Sequence, residues 1–150
     1  MNESELPEVT RMMMGDPLAG PSSCRIRETV MTYLSRMTAG DVDGVVALMS
    51  EDVRFIDPVG SAPRIGREVI RTFLRAGLEA VGGIIEMHAE GAVRVASCYG
   101  AVAVRVRTPC ATPAIELDSL DVIRFGDDGL ITELVAYWGL SNIRPLIVQA

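Results

Sequence analysis

Residues 39–68, AGDVDGVVALMSEDVRFIDPVGSAPRIGRE, are the stretch that decides the fold. Asp41 can cap a short helix over about residues 42–49, because a carboxylate oxygen accepts hydrogen bonds from the free N–H groups of a first helical turn. Alternating apolar residues then predict a strand over Val53–Asp57, which Pro58 ends. The stretch therefore predicts a short helix followed directly by a strand that finishes on an aspartate.

The flanking sequence extends this pattern in both directions. Apolar residues at helical spacing predict a helix over 23–38 before it and another over 66–81 after it. From residue 84 onward the apolar period changes from 3.6 to 2. This period predicts five strands, over residues 84–89, 92–98, 101–108, 114–125 and 130–138. The order indicates an α+β fold, with three N-terminal helices packed on a curved, mostly antiparallel β-sheet.

The chain divides into two parts by composition. Residues 1–22 contain several prolines and glycines, which interrupt helices, and we expect them to form a flexible N-terminal extension. Residues 23–150 are long enough for one domain with a full hydrophobic core. This single domain carries all the predicted helices and strands.

The composition limits the chemistry. The 150 residues include 20 acids, no lysine, 14 cationic residues that are all arginine, and one histidine, for a net charge of −6. Without lysine there is no Schiff-base chemistry and no P-loop, and a single histidine cannot build a His-based zinc site. The negative charge disfavours nucleic acid and anionic membranes as partners. We expect neither a metal nor a cofactor.

Cysteine usage and hydropathy indicate the compartment. The three cysteines are an odd number without a CxxC spacing, which favours a reducing environment over a disulfide framework. The acidic first residues do not read as a secretory signal, and no run of about 20 apolar residues predicts a membrane-spanning helix. These features predict a cytoplasmic protein.

Three polar side chains interrupt faces that the pattern assigns to the core. Asp57 is in phase with Val53 and Phe55, Asp121 lies on the apolar face of a long strand, and Tyr33 is central in a helical stripe. Each has an ordinary explanation: an Asp-Pro turn, a strand bulge, or a core tyrosine with a satisfied hydroxyl. Burying an unpaired carboxylate is costly unless its pKa rises. Two such acids and a phenol at one cavity therefore favour a functional site.

The same residues carry a family resemblance. Residues 39–68, together with IRF at 123–125 and AYWG at 136–139, resemble the ketosteroid isomerases of the NTF2-like/SnoaL-like superfamily. The resemblance covers about residues 25–143 and implies an NTF2-like cone that forms a homodimer and takes a hydrophobic small molecule, a steroid or a polyketide. It also implies a substrate pocket lined by Phe73, Trp138, Val53, Phe55 and Ala136.

The resemblance assigns a catalytic role to each of the three polar residues. It implies that Asp57 is a general base and that Tyr33 and a neutral Asp121 donate hydrogen bonds in an oxyanion hole. Ketosteroid isomerase is an established example of an aspartic acid that stays protonated in an apolar site. The implied mechanism uses neither a metal nor a cofactor.

Three functions stay open on the sequence alone. The first is an isomerase that moves a double bond next to a carbonyl through a dienolate. The second is a cyclase or epoxide hydrolase of polyketide or polyether assembly. The low aromatic content of 5% and the long N-terminal extension favour this function. The third is a non-catalytic ligand-binding module. Retention of Tyr33 with both acids favours the isomerase over the binding module.

Overall fold

The computed structural model describes residues 1–15 and 18–147. Four α-helices lie in these ranges: α1 (Glu8–Met14), α2 (Ser23–Thr38), α3 (Val42–Val46) and α4 (Arg67–Ala80). The strands are β1 (Met49–Ile56), β2 (Arg64–Ile65), β3 (Glu86–Ala89), β4 (Arg94–Ala96), β5 (Tyr99–Thr108), β6 (Ile115–Phe125), β7 (Ile131–Tyr137) and β8 (Ile143–Pro145). None of the helices described is long and apolar enough to cross a membrane.

The strands form one mixed sheet in the order β2-β1-β7-β6-β5-β3, with β4 added to β5 and β8 added to β6. β1 runs parallel to β7, and the other pairings are antiparallel. Helices α2 and α4 pack on the inner face of this curved sheet, as a sheet with one apolar face requires, and α3 packs against both of them. The predicted α+β, NTF2-like fold is confirmed.

The long helix α2 holds Tyr33 against the sheet. Its cap forms where the sequence indicates, because the Arg25 N–H donates to the Ser22 hydroxyl oxygen at 3.2 Å. The helix packs closely on β5 at Gly100, where a Cβ atom would lie 2.8 Å from the Ile26 side chain. Glycine at this position therefore allows the close packing that seats Tyr33 in the interior, where it is only 3% exposed.

The helix predicted over residues 42–49 is shorter than expected. α3 ends at Val46, and Met49 already begins β1, where it pairs with Ile131 of β7. The Ile131 N–H also donates to the Leu48 carbonyl oxygen at 2.8 Å. Pairing with a strand far along the chain overrides the local helical preference here.

The predicted extension over residues 1–22 contains the helix α1, which the sequence did not indicate. Its proline and glycine flank the helix and do not interrupt it: Pro7 lies at the N-cap and Gly15 follows the last residue with a φ of 61°. The Leu18 N–H donates to the Ser97 hydroxyl oxygen at 2.7 Å. Residues 16–17 of this extension and 148–150 of the domain lie outside the described residues, and the flexibility of the extension stays a prediction.

Candidate active site

An apolar cavity of about 380 Å³ lies between the helices and the sheet. Its walls are mostly apolar and come from α2, α4, β1, β3, β5, β6 and β7. A few polar groups interrupt them, belonging to Tyr33, Asp57, Thr108, Ser119, Asp121 and Trp138. An apolar wall with a small number of polar groups is the usual construction of a small-molecule site.

The structure brings most of the sequence-predicted site residues to this cavity. Its lining includes Tyr33, Asp57, Asp121, Phe55, Phe73, Ala136 and Trp138. Val53 is placed elsewhere: it is fully buried in the core and is not among the lining residues. Val53 shares the inward face of β1 with Phe55 but comes two residues earlier, where core side chains cover the strand.

Asp57 follows the last residue of β1, and its carboxylate is held by the residue that follows β7. The indole N–H of Trp138 donates to its Oδ1 at 2.6 Å. Burial raises the pKa of Asp57, while the Trp138 hydrogen bond and the positive charge of Arg64 lower it. The carboxylate is therefore partly desolvated, which makes it more basic, yet it keeps two neighbouring groups that favour its ionised form.

Arg64 is a site residue that the sequence analysis missed. It pairs with Phe55 across β1 and β2, and its guanidinium carbon lies 3.7 Å from the centre of the Phe73 ring. Its Nη1 is buried without a hydrogen-bond partner among the described residues. The cation is thus held by a ring of the cavity wall, close enough to Asp57 to lower the pKa of that carboxyl.

Asp121 lies in the middle of β6, points inward and is only 2% exposed. Its neighbours across the sheet are Val102 on β5 and Ala136 on β7, neither of which can pair with a carboxylate. Burial raises the pKa of Asp121 to about 7; the Ser119 hydrogen bond opposes this rise and repulsion by Asp57 adds to it. Asp121 therefore keeps its proton at pH values where an ordinary aspartate has lost it.

Ser119 holds the carboxyl of Asp121 in place. Its hydroxyl donates to Oδ1 of Asp121 at 2.7 Å, from the next inward position of the same strand. One carboxyl oxygen is thereby occupied, so the other is available to a molecule in the cavity. Alternation along the strand places Ser119 on the inward face, but its hydrogen bond could not be read from the sequence.

Tyr33 completes the group. Burial raises the pKa of its phenol well above the usual value, and the negative charges of Asp121 and Asp57 raise it further. A phenol in this environment stays protonated and can donate a hydrogen bond. Asp57 thus raises the pKa of both Asp121 and Tyr33, and Asp121 raises that of Tyr33, so the three side chains that broke the sequence pattern lie close together at one cavity.

Comparisons with known proteins identify a family for the chain. Residues 30–134 match the SnoaL-like domain family. The chain is 29% identical over 123 residues to the Steroid Delta-isomerase of Nocardioides simplex, a match that covers 81% of this chain and 95% of that protein. It is also 29% identical over 129 residues to Epoxide hydrolase LasB of Streptomyces lasalocidi, covering 81% of this chain. The chain spans only 44% of the length of the epoxide hydrolase.

A solved structure shares the fold. SalBIII, described as an epoxide hydrolase/cyclase-like enzyme in pyran ring formation in the polyether salinomycin, superimposes with a TM-score of 0.75. The match covers 83% of this chain and 98% of SalBIII, at 23% sequence identity. At this identity the likeness establishes the shared architecture of helices and sheet.

Proposed function

The chain belongs to the SnoaL-like domain family, and we propose that it is a general acid–base enzyme that moves a double bond next to a carbonyl group in an apolar substrate. The observation that carries this proposal is the contrast between two carboxyls at one cavity. Asp57 accepts a hydrogen bond from the Trp138 indole, and this bond and the positive charge of Arg64 both lower its pKa. Burial, in contrast, raises the pKa of Asp121 to about 7. Carboxyls whose environments separate their pKa values can act as base and acid at the same pH.

The first step is a proton transfer to Asp57. Its carboxylate takes a proton from the carbon between the carbonyl and the double bond of a β,γ-unsaturated ketone. The electron pair of the broken C–H bond forms a dienolate, whose negative charge develops on the carbonyl oxygen. Tyr33 and protonated Asp121 donate hydrogen bonds to that oxygen, and each such donor in a water-excluded site is typically worth about 3–4 kcal/mol of barrier.

The second step returns the same proton. The Asp57 carboxylic acid protonates the γ-carbon, the double bond moves into conjugation with the carbonyl, and the carboxylate is regenerated. The reaction balances within the substrate and Asp57, without an oxidant or a reductant. The apolar cavity supports this path because it disfavours water near the dienolate, and the steroid isomerase relative supports the substrate class.

A second function is favoured by the pKa of Asp121. An acid with a pKa of about 7 can transfer its proton completely, as the opening of an epoxide requires. In that reaction Asp57 accepts the proton of a substrate hydroxyl, whose oxygen attacks an epoxide carbon. The C–O bond of the epoxide breaks, and its oxygen takes the proton of Asp121, which closes an ether ring. Proton exchange with water then returns Asp57 to the carboxylate and Asp121 to the acid. The epoxide hydrolase relative supports this alternative.

Two assays on the purified protein separate these functions. A β,γ-unsaturated 3-ketosteroid tests the isomerase, because conjugation of the product is visible in the ultraviolet spectrum. A hydroxy-epoxide that can close to a tetrahydropyran tests the cyclase. The product has the same mass as the substrate, so ring formation is followed by chromatographic separation of the two. Turnover of the ketosteroid that Asp57→Asn abolishes supports the isomerase. Turnover of the epoxide alone would replace it by the cyclase, and binding without turnover of either would indicate a binding module.

A further inference from the structure

The hydroxyl of Thr108 is buried without a partner at the wall of the active-site cavity. Thr108 is the last residue of β5, lines the cavity and is 7% exposed. Its Oγ1 is shielded from solvent and has no hydrogen-bond partner among the described residues. A buried hydroxyl without a partner costs free energy. Rotation about the Cα–Cβ bond of Thr108 would turn the hydroxyl toward the cavity, where an oxygen atom of a bound molecule would remove that cost.

Thr108 lies at the opposite end of the cavity wall from the acids. In the β5–β6 register, Asp121 pairs with Val102 and Thr108 pairs with Ile115. Val102 and Thr108 are six positions apart on the same face of β5, which is roughly 20 Å of strand at about 3.3 Å per residue. The two polar groups therefore mark the two ends of a long wall.

The wall between these ends is apolar. Val106 of β5 and Leu117 of β6 point into the cavity there. The other polar lining groups are near the acids: Ser119 bonds Asp121, and Trp138 bonds Asp57. Thr108 is therefore the hydrogen-bonding group that a molecule extending away from the acids would meet.

We propose that Thr108 binds an oxygen atom at the far end of the substrate, which is accordingly an elongated apolar molecule with oxygen at both ends. This inference rests on the proposed acid–base function, because the near oxygen is the one that Tyr33 and Asp121 contact. The far oxygen belongs to a hydroxyl, carbonyl or ether, since a threonine hydroxyl both donates and accepts. A substrate without this oxygen would leave the Thr108 hydroxyl unpaired, which gives the site a basis for selection.

Matched phenols test the proposal without assuming a steroid. The probes are 4-alkylphenols and 4-(ω-hydroxyalkyl)phenols over a series of chain lengths, each alcohol paired with its methyl-terminated counterpart. The phenol oxygen takes the place of the dienolate oxygen, and the chain extends toward Thr108. Calorimetry gives the affinity of each pair for the wild type, for Thr108→Val, which keeps the shape without the hydroxyl, and for Thr108→Ser, which keeps the hydroxyl.

We expect one chain length at which the wild type binds the alcohol about fivefold more tightly than its counterpart, equivalent to about 1 kcal/mol. Thr108→Val should abolish this preference and Thr108→Ser should retain it. The proposal is overturned if the wild type shows no preference at any length, if it binds none of the phenols, or if the valine variant keeps the preference. Turnover of the unsaturated ketone by the same preparation tests the acid–base function separately.

The free protein supplies a second readout. Because the hydroxyl has no partner, Thr108→Val should keep or raise the melting temperature of the protein without ligand. Thr108→Ser controls for the loss of the methyl group. A melting temperature that falls with valine but not with serine would show that the hydroxyl already has a partner in the free protein, and would overturn the proposal.

Discussion

The indole nitrogen of Trp138 lies 2.6 Å from Oδ1 of Asp57, and the parallel pairing of β1 with β7 explains why. Asp57 directly follows the last residue of β1, and Trp138 directly follows the last residue of β7. Parallel neighbours end at the same edge of a sheet, so the acceptor and the donor meet there although 81 residues separate them. The pairing that makes this sheet mixed thus positions the proposed base.

Trp138→Phe is expected to raise the pKa of Asp57. The indole N–H stabilises the carboxylate, so its loss leaves desolvation less opposed. The acidic limb of the rate–pH profile should move to higher pH, and turnover should fall more at acidic than at alkaline pH. Tyr137→Phe, at the neighbouring position, is the control for aromatic packing. An acidic limb that stays at the wild-type pH would show that the hydrogen bond does not tune the base.

Asp57→Asn is expected to abolish measurable turnover and leave the free energy of unfolding near the wild-type value. The amide has the shape of the carboxylate but cannot take a proton, and a general base typically contributes 10²–10⁴-fold. Rate assays and denaturant unfolding measure the two effects. Glu86→Gln is the matched control, because Glu86 is opposite Arg107 on β5 and does not line the cavity. Retention of most activity by the asparagine variant would place the base elsewhere.

Ser119→Ala is expected to raise the pKa of Asp121 above its value of about 7. The serine hydroxyl bonds the carboxyl and favours its charged form, so removing it extends the pH range in which Asp121 is protonated. The alkaline limb of the rate–pH profile should therefore move to higher pH. Ser50→Ala is a suitable control, because the Ser50 hydroxyl is buried without a partner among the described residues. An equal shift in both variants would contradict the role of Ser119.

The sequence predicted the parts of the site that depend on local pattern. Strand alternation is a property of neighbouring residues, so the inward direction of Asp57 and Asp121 follows from the apolar residues two positions away. The helical stripe places Tyr33 in the interior for the same reason. Burial alone then accounts for the direction of all three pKa shifts.

The parts that depend on strand register could not be predicted in this way. Arg64 reaches the Phe73 ring because β2 pairs with β1, and Trp138 reaches Asp57 because β7 runs parallel to β1. The unpaired hydroxyl of Thr108 is recognised only when every nearby donor and acceptor is known. These relationships join segments far apart in the chain, and apolar periodicity contains no information about them.

The homodimer implied by the family resemblance is expected to form through the outer face of the sheet. Leu120 and Tyr137 are opposite each other on β6 and β7, and are 45% and 50% exposed. A pair of exposed apolar residues at the centre of a sheet face is suited to association. Leu120→Glu should lower the mass measured by sedimentation to that of a monomer, whereas Met31→Glu, on the exposed side of α2, should not. A wild type that sediments as a monomer would contradict this prediction.

Asp121 should make stability depend on pH in a defined direction. Its pKa is about 7 in the folded protein and 3.8 as the ordinary value, so between these values the folded chain holds a proton that the unfolded chain releases. The free energy of unfolding should therefore fall as pH rises from about 4 to about 7, by on the order of 4 kcal/mol, and then level off. Asp57 acts in the same direction, while the lowered pKa values of Glu116 and Asp118 act oppositely, at pH values below their ordinary pKa values of 4.5 and 3.8.

Two substitutions isolate the contribution of Asp121 from that of the other acids. Asp121→Asn keeps the shape and a hydrogen-bond donor but does not titrate, so it should retain substantial activity and remove the part of the fall in stability between about pH 4 and 7 that Asp121 causes, leaving the part that Asp57 causes. Asp121→Leu suits the apolar face and should fold, but it removes the donor and should lower turnover by roughly one to three orders of magnitude. Unfolding curves across this pH range and rate assays measure both. If the leucine variant turns over as fast as the wild type, or if the asparagine variant shows the wild-type pH dependence of stability, Asp121 is not a neutral acid. The site would then consist of a carboxylate base with Tyr33 as its single donor.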